Sequence, residues 1–160
     1  MDTVYIGKIV STHGIKGELR IISDFPYKNK VFKVGNSLWI EGKEYVIETY
    51  RTHKNYDMVT FNQFHNINDV LFLLQKEVFF SKKDLSLDDN EVLDEELLTF
   101  EVVTEDGQKG FVKEIFMASE TNKILRIELD REILIPMTSP MILKIDKKNK
   151  RIIIQLIEGI

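Results

Sequence analysis

The stretch Gly7-Lys8-Ile9-Val10-Ser11-Thr12-His13-Gly14-Ile15-Lys16-Gly17-Glu18-Leu19-Arg20 decides how the chain folds. It reads as a strand, a tight polar turn and a second strand. Apolar Ile6, Ile9, Ile15, Leu19 and Ile21 flank the bend. Gly14 and Gly17 allow positive φ and close backbone approach there. His13, Lys16 and Arg20 project from the hairpin, a cationic set suited to phosphate or to an acidic protein surface.

Working outward, the first half continues as short strands and turns. Residues 37–41 and 43–52 alternate apolar with polar, with Gly42 as the hairpin signal between them. Residues 58–61 and 77–81 read as further strands, and Phe25-Pro26-Tyr27-Lys28-Asn29 as an irregular loop. A helix begins near Asn66-Ile67-Asn68-Asp69, with Asn68 as the N-cap and Asp69 in the first turn. About six strands with one short helix predict a small closed barrel over residues 1–83.

The second half repeats the pattern over residues 97–160. Strands at 98–104 and 110–118 meet at Glu105-Asp106-Gly107, with Gly107 supplying positive φ and Gly110 marking a bulge or bend. Strands at 123–129 and 133–136 pair across Asp130-Arg131-Glu132. Strands at 141–145 and 151–156 pair across Asp146-Lys147-Lys148-Asn149-Lys150. The fold class is therefore mainly β, two small barrels in sequence.

Charge divides the same way. The chain has a net charge of −4, with residues 1–83 at +3 and residues 84–160 at −7. Residues 84–96 hold seven acids and no base and lack periodicity, which predicts an acidic linker. Neither half is basic enough for non-specific nucleic-acid binding through many phosphates. An acidic segment favours a basic protein partner.

Nothing in the sequence assembles a reaction centre. There is no cysteine, which excludes disulfides, thiolate chemistry and Cys-type zinc sites. His13, His53 and His65 lack metal-ligand spacing. Neither a Gly-x-Ser-x-Gly elbow nor a phosphate-binding loop occurs. The carboxylate pairs Asp88/Asp89 and Glu95/Glu96 read as solvated charge. Catalytic, metal and cofactor assignments are accordingly none. Among the aromatics that could stack on bases, Trp39 and Tyr45 read as core and Tyr27 and Tyr56 as exposed. The N-terminus carries no signal-peptide pattern, and the apolar run at 70–74 is too short for a bilayer, so a cytoplasmic protein without a membrane contact is expected.

The string G-K-I-x-x-x-H-G-I-K-G-E-L-R, followed by Ser23-Asp24-Phe25-Pro26, resembles the start of the ribosome maturation factor RimM family. Asp106-Gly107, Gly110, Ile133-Leu134-Ile135-Pro136, Ile145-Asp146 and Glu158-Gly159 then fall in that family's order. The resemblance implies a translation-factor-like barrel followed by a PRC-type barrel, with no catalysis and no cofactor. It implies binding to the free small (30S) ribosomal subunit or its precursor, late 16S rRNA processing and maturation of the subunit head. The implied partner is a basic head protein, the nineteenth of the small-subunit series, bound by the second barrel and the linker.

Carried over residue by residue, the first-barrel signature stands at Gly7, His13, Gly14, Lys16, Gly17, Glu18 and Arg20, and the contact loop for rRNA is His13, Gly14, Lys16, Gly17 and Arg20. Where the family has a Tyr-Tyr pair after the linker, this chain has Val92 and Leu93, and its usual Asn-Asp reads Asn122-Lys123. The expected protein-binding set is Asp88, Asp89, Val92, Leu93, Asp94, Glu95 and Glu96, with the aliphatic pair as an apolar anchor. A small-ligand or enzymatic barrel, and a PRC-type interaction module unrelated to ribosomes, are the alternative readings.

Overall fold

The computed structural model describes residues 1–157. Glu158 and Gly159 of the motif order lie outside the described residues. The chain divides into Met1–Ser86 and Leu87–Ile160.

The first unit is a closed six-stranded barrel. Its strands are β1 (Thr3–His13), β2 (Glu18–Ile22), β3 (Ser37–Ile40), β4 (Lys43–His53), β5 (Tyr56–Phe61) and β6 (Glu77–Ser81). They pair in the order β1-β2-β5-β4-β3-β6, and β6 returns to β1. Closure leaves no unpaired edge. Period-two alternation sends Ile6, Ile9, Leu19, Ile21, Leu38, Ile40, Ile47, Val59 and Phe61 inward, each at 1% exposure or less. Full burial of one such side chain contributes roughly 2 kcal/mol relative to exposure.

β1 is long enough to bond two neighbours because it bends at two bulges, between Tyr5 and Gly7 and between Ile9 and Ser11. The bend demands glycine at position 7. A Cβ there would lie 2.6 Å from the carbonyl oxygen of Ile22.

Two short helices accompany this barrel. Residues read as an irregular loop contain α1 (Lys28–Val31), whose Val31 is fully buried. α2 (Ile67–Val70) runs into a 3-10 turn at Leu71–Leu73. Its N-cap is Asn66, two residues before the expected Asn68. The Asn66 side chain accepts from the Asn68 N–H at 2.9 Å, which fixes the helix start two residues earlier.

The second unit opens with α3 (Asp94–Leu97) and continues as β7 (Glu101–Thr104), β8 (Lys109–Met117), β9 (Lys123–Glu128), β10 (Glu132–Pro136), β11 (Ile142–Asp146) and β12 (Arg151–Ile154). The ladder runs β10-β9-β8-β7-β12-β11. Neighbours are antiparallel except β12 and β7, which run parallel. Ile133 and Ile135 of the first edge strand and Ile142 and Ile145 of the last pack on one core with Val102, Leu125, Ile127 and Ile152. The sheet therefore rolls over its own apolar face. Leu97 of α3 is fully buried in the same core.

The division falls between Ser86 and Leu87, so most of residues 84–96 belongs to the second unit. Charge density concealed two inward-facing residues. Val92, at 2% exposure, is part of the second unit's core, and Leu93 is 7% exposed.

Candidate functional site

Cross-strand register builds the first site. His13 lies opposite Glu18, Ser11 opposite Arg20, Arg20 opposite Met58, Met58 opposite Arg51, and Tyr56 opposite His53. Directly paired residues share a face. The outer wall formed by β1, β2, β5 and β4 thus gathers His13, Glu18, Arg20, Arg51, His53 and Tyr56 near two hairpin ends.

The first hairpin is shaped by Gly14 at φ 70° and Gly17 at φ 92°. Gly17 is tucked against the backbone of Phe64 and Asn66, and the Ile67 N–H donates to the Ile15 carbonyl at 2.9 Å. The loop is thereby pinned to the start of α2. Lys16 at its tip is exposed, whereas His13 and Arg20 are half-buried. The second hairpin turns on Lys54 and Asn55, both at positive φ (49° and 67°), as a two-residue primed turn requires.

Arg20 is held in place by uncharged acceptors. Its Nη1 donates to the Thr12 carbonyl at 2.7 Å and to Ser11 Oγ at 3.2 Å. Its Nη2 donates to His13 Nδ1 at 2.5 Å, since a guanidinium has nothing to accept with. The guanidinium lies 6.0 Å from the centroid of the Tyr56 ring. The His13 and His53 rings are 5.4 Å apart.

The acids of this region are already engaged. Glu18 accepts from Arg51 Nε at 2.9 Å and Nη2 at 2.7 Å. That bidentate bond holds the Glu18 carboxyl below its ordinary range, against the opposing effect of partial burial. Asp57, 1% exposed, accepts from the Tyr50 hydroxyl at 2.6 Å and pairs with Lys28 at 2.9 Å. Burial, and then the Asp57 bond, pushes the Tyr50 phenol far up. Partial burial, then the charges of Arg51, Lys54, His13 and Arg20, pushes His53 down. A groove of about 480 Å³ runs beside these groups, lined by Lys28, Tyr50, Thr52, His53, Lys54, Asn55, Tyr56 and Asp57.

The sequence singled out His13 and Arg20, which the fold brings together, and Tyr56, which it sets beside them. It missed Arg51, His53 and Lys54. The signal was present in Lys54-Asn55, a polar pair between alternating runs. Trp39 differs from its expected core role. It is half-buried beside a surface groove with Met1, Thr3, Gly42 and Phe79. Tyr45 is buried against Phe61, with ring centroids 5.4 Å apart.

The second expected site divides in two. Asp88, Asp89 and Glu95 are exposed. Asp94 accepts from Lys123 Nζ at 2.8 Å, and Glu96 Oε1 accepts from the Leu93 N–H at 3.4 Å, so these two acids serve α3 and its packing. Val92 and Leu93, expected as an apolar anchor, are turned inward. A partner could reach Val92 only by opening the core it already fills.

No group of three or more His, Cys, Asp or Glu placed to hold a metal ion occurs among the described residues. None of their helices is long and apolar enough to cross a membrane. A cationic outer face on one β unit and an exposed acidic segment on the other are surfaces of the kind that binding proteins carry.

Comparison with known proteins gives the particular kind. The RimM N-terminal domain family matches residues 4–85 and the PRC-barrel domain family matches residues 89–160. A ribosome maturation factor RimM from Shouchella clausii is 34% identical, covering 97% of this chain and 95% of the relative. One from Ligilactobacillus salivarius is 35% identical, covering 100% and 99%. The solved structure of a RimM-type 16S ribosomal RNA processing protein from Pseudomonas aeruginosa is similar at TM-score 0.48 and 19% identity, covering 99% of this chain and all of that one. The chain belongs to the ribosome maturation factor RimM family, whose members are non-enzymatic factors of ribosome assembly.

Proposed function

We propose that the protein binds the free 30S subunit or its precursor in the cytoplasm and promotes 16S rRNA processing and maturation of the subunit head. The carrying observation is the separation of charge: an outer barrel face centred on Arg20, and a segment exposing Asp88, Asp89 and Glu95. The contact loop His13, Gly14, Lys16, Gly17 and Arg20 meets rRNA. The acids meet a basic head protein, the nineteenth of the small-subunit series, by electrostatic complementarity. Without catalysis, the factor acts by binding one RNA–protein arrangement better than its competitors.

Cosedimentation with separated ribosomal particles tests this reading. Comigration with free small subunits or their precursors, and not with large subunits or full ribosomes, is expected. Absence from both small-subunit species at low salt overturns it in favour of a ligand-binding barrel or a PRC-type module with another partner. The double substitution Asp88→Lys with Glu95→Lys is expected to weaken binding of the purified head protein and to flatten its salt dependence. Unchanged affinity and salt slope would remove the electrostatic contact.

A further inference from the structure

We infer that the outer face of the β1, β2, β5 and β4 wall is a single-stranded RNA site, in which Arg20, His53 and Lys54 take the phosphate and Tyr56 stacks the base. The inference rests on the small-subunit reading above in taking RNA as the occupant.

Three observations carry it. The first is charge. Glu18 on the outer face and Asp57 beside the groove are each bonded to cations of their own, Arg51 and Lys28. Arg20 bonds only to uncharged acceptors, so its charge has no carboxylate against it there. Lys54 makes no ion pair among the described residues and stands on an exposed turn.

The second is the aromatic. Tyr56 is half-exposed, lines the groove beside Lys54 and His53, and has Arg20 over its ring. An acidic peptide would satisfy the cations and make no use of that ring. A nucleotide has an anion and a π-face on one short covalent frame, and both are met here.

The third is access. The groove opens at the Lys54-Asn55 end of the barrel, where His53 and Tyr56 of the outer face meet Thr52 and Asp57 of the inner one, and its volume of about 480 Å³ admits one nucleotide rather than a helix. A duplex presents phosphate but no free base face, so the site discriminates by strandedness and not by sequence.

Protonation follows from the same arrangement. His53 faces Arg51 on its own strand, Lys54 in the turn, Tyr56 on β5, Glu18 and Arg20 on β2 and His13 on β1. Burial first, and then the neighbouring cations, lower the His53 pKa, and an arriving phosphate opposes the cations. Binding is thus coupled to proton uptake, and affinity rises as pH falls.

The test is fluorescence anisotropy of the full chain with a labelled oligouridylate of about eight nucleotides, against the same strand annealed to its complement. The single strand is expected to bind at least about tenfold tighter than the duplex, more tightly at about pH 6 than at about pH 8. Tyr56→Ala and Lys54→Glu are each expected to weaken it about tenfold, and Tyr56→Phe to restore stacking. His53→Ala removes the added affinity at low pH. Circular dichroism and melting confirm that the exposed-turn variant Lys54→Glu folds.

Equal binding by wild type, Tyr56→Ala and Lys54→Glu, equal binding of duplex and single strand, or no binding at low salt would each overturn the inference. Particle cosedimentation separates the two readings. Comigration with small subunits alongside variant-insensitive oligonucleotide binding leaves the proposed function and removes this site. Specific oligonucleotide binding without comigration leaves the site and removes that function.

Discussion

Glu18 on β2 and Arg51 on β4 form a two-pronged ion pair across the intervening strand β5, with bonds of 2.9 and 2.7 Å. The pair fastens the two hairpins whose ends carry His13, Arg20, His53 and Tyr56. A carboxyl with a lowered pKa stabilises the fold at pH values above its ordinary 4.5, and the contribution is lost as pH falls through the lowered value. Arg51 is about half exposed, so the pair contributes only about 0.5 kcal/mol. Glu18→Gln is expected to lower stability by about that amount near neutral pH. Urea denaturation at a series of pH values should show the difference from wild type vanishing under acid conditions. A difference that stays constant down to low pH would rule the ion pair out as its cause.

Tyr50 and Asp57 present the buried counterpart. The hydroxyl donates to a carboxylate that is 1% exposed and that pairs with Lys28. Tyr50→Phe keeps the ring stacked on Phe32, at 5.6 Å between centroids, and deletes the donor. The expected loss is about 2 kcal/mol, typical of a hydrogen bond to a charged acceptor. Ultraviolet titration of the tyrosines should show a late-ionising phenol in wild type that Tyr50→Phe lacks. Loss of any other phase would reassign it.

Gly110 lies where β8 runs against Glu128 of β9. A Cβ at position 110 would stand within bonding distance of the Glu128 carbonyl oxygen, and backbone cannot yield as a side chain does. Gly110→Ala is expected to cost about 3 kcal/mol or more. Gly107→Ala meets open space and only a positive φ of 91°, which costs about 1 kcal/mol. Thermal melting of the two variants should rank them in that order. Equal melting would mean that the close approach at Gly110 is not fixed.

Val92 distinguishes a core residue from a partner contact. Val92→Ala is expected to lower stability by about 2 kcal/mol, with head-protein affinity following only the folded fraction. Unchanged stability with weakened binding would return Val92 to the interface.

These residues also mark how far the sequence could be read. Strand alternation and the glycines at 14, 17, 107 and 110 are local signals, and the strand pairs at 123–136 and 141–156 follow from them. Asn66 and Asn68 are chemically equivalent caps, and only the backbone at Asn66 (φ −140°, ψ 141°) chooses between them. The four-residue α3 is a single turn, too short to show a period, and the acids around it masked the burial of Val92. At the basic face, His13 and Arg20 stood in one motif. Their approach to His53 depends on a barrel closing over residues about forty positions apart, which pairing register alone reveals.

The parallel strand β12 has a consequence for how the chain is made. It lies between β7 and β11, one strand in from the edge, so β11 has no partner in the second ladder until residues 151–154 are available. The first barrel closes when β6 reaches β1, some seventy positions earlier. During translation the cationic barrel can be complete while the acidic unit still waits for its last inner strand. The two surfaces therefore form in a fixed order set by the direction of synthesis.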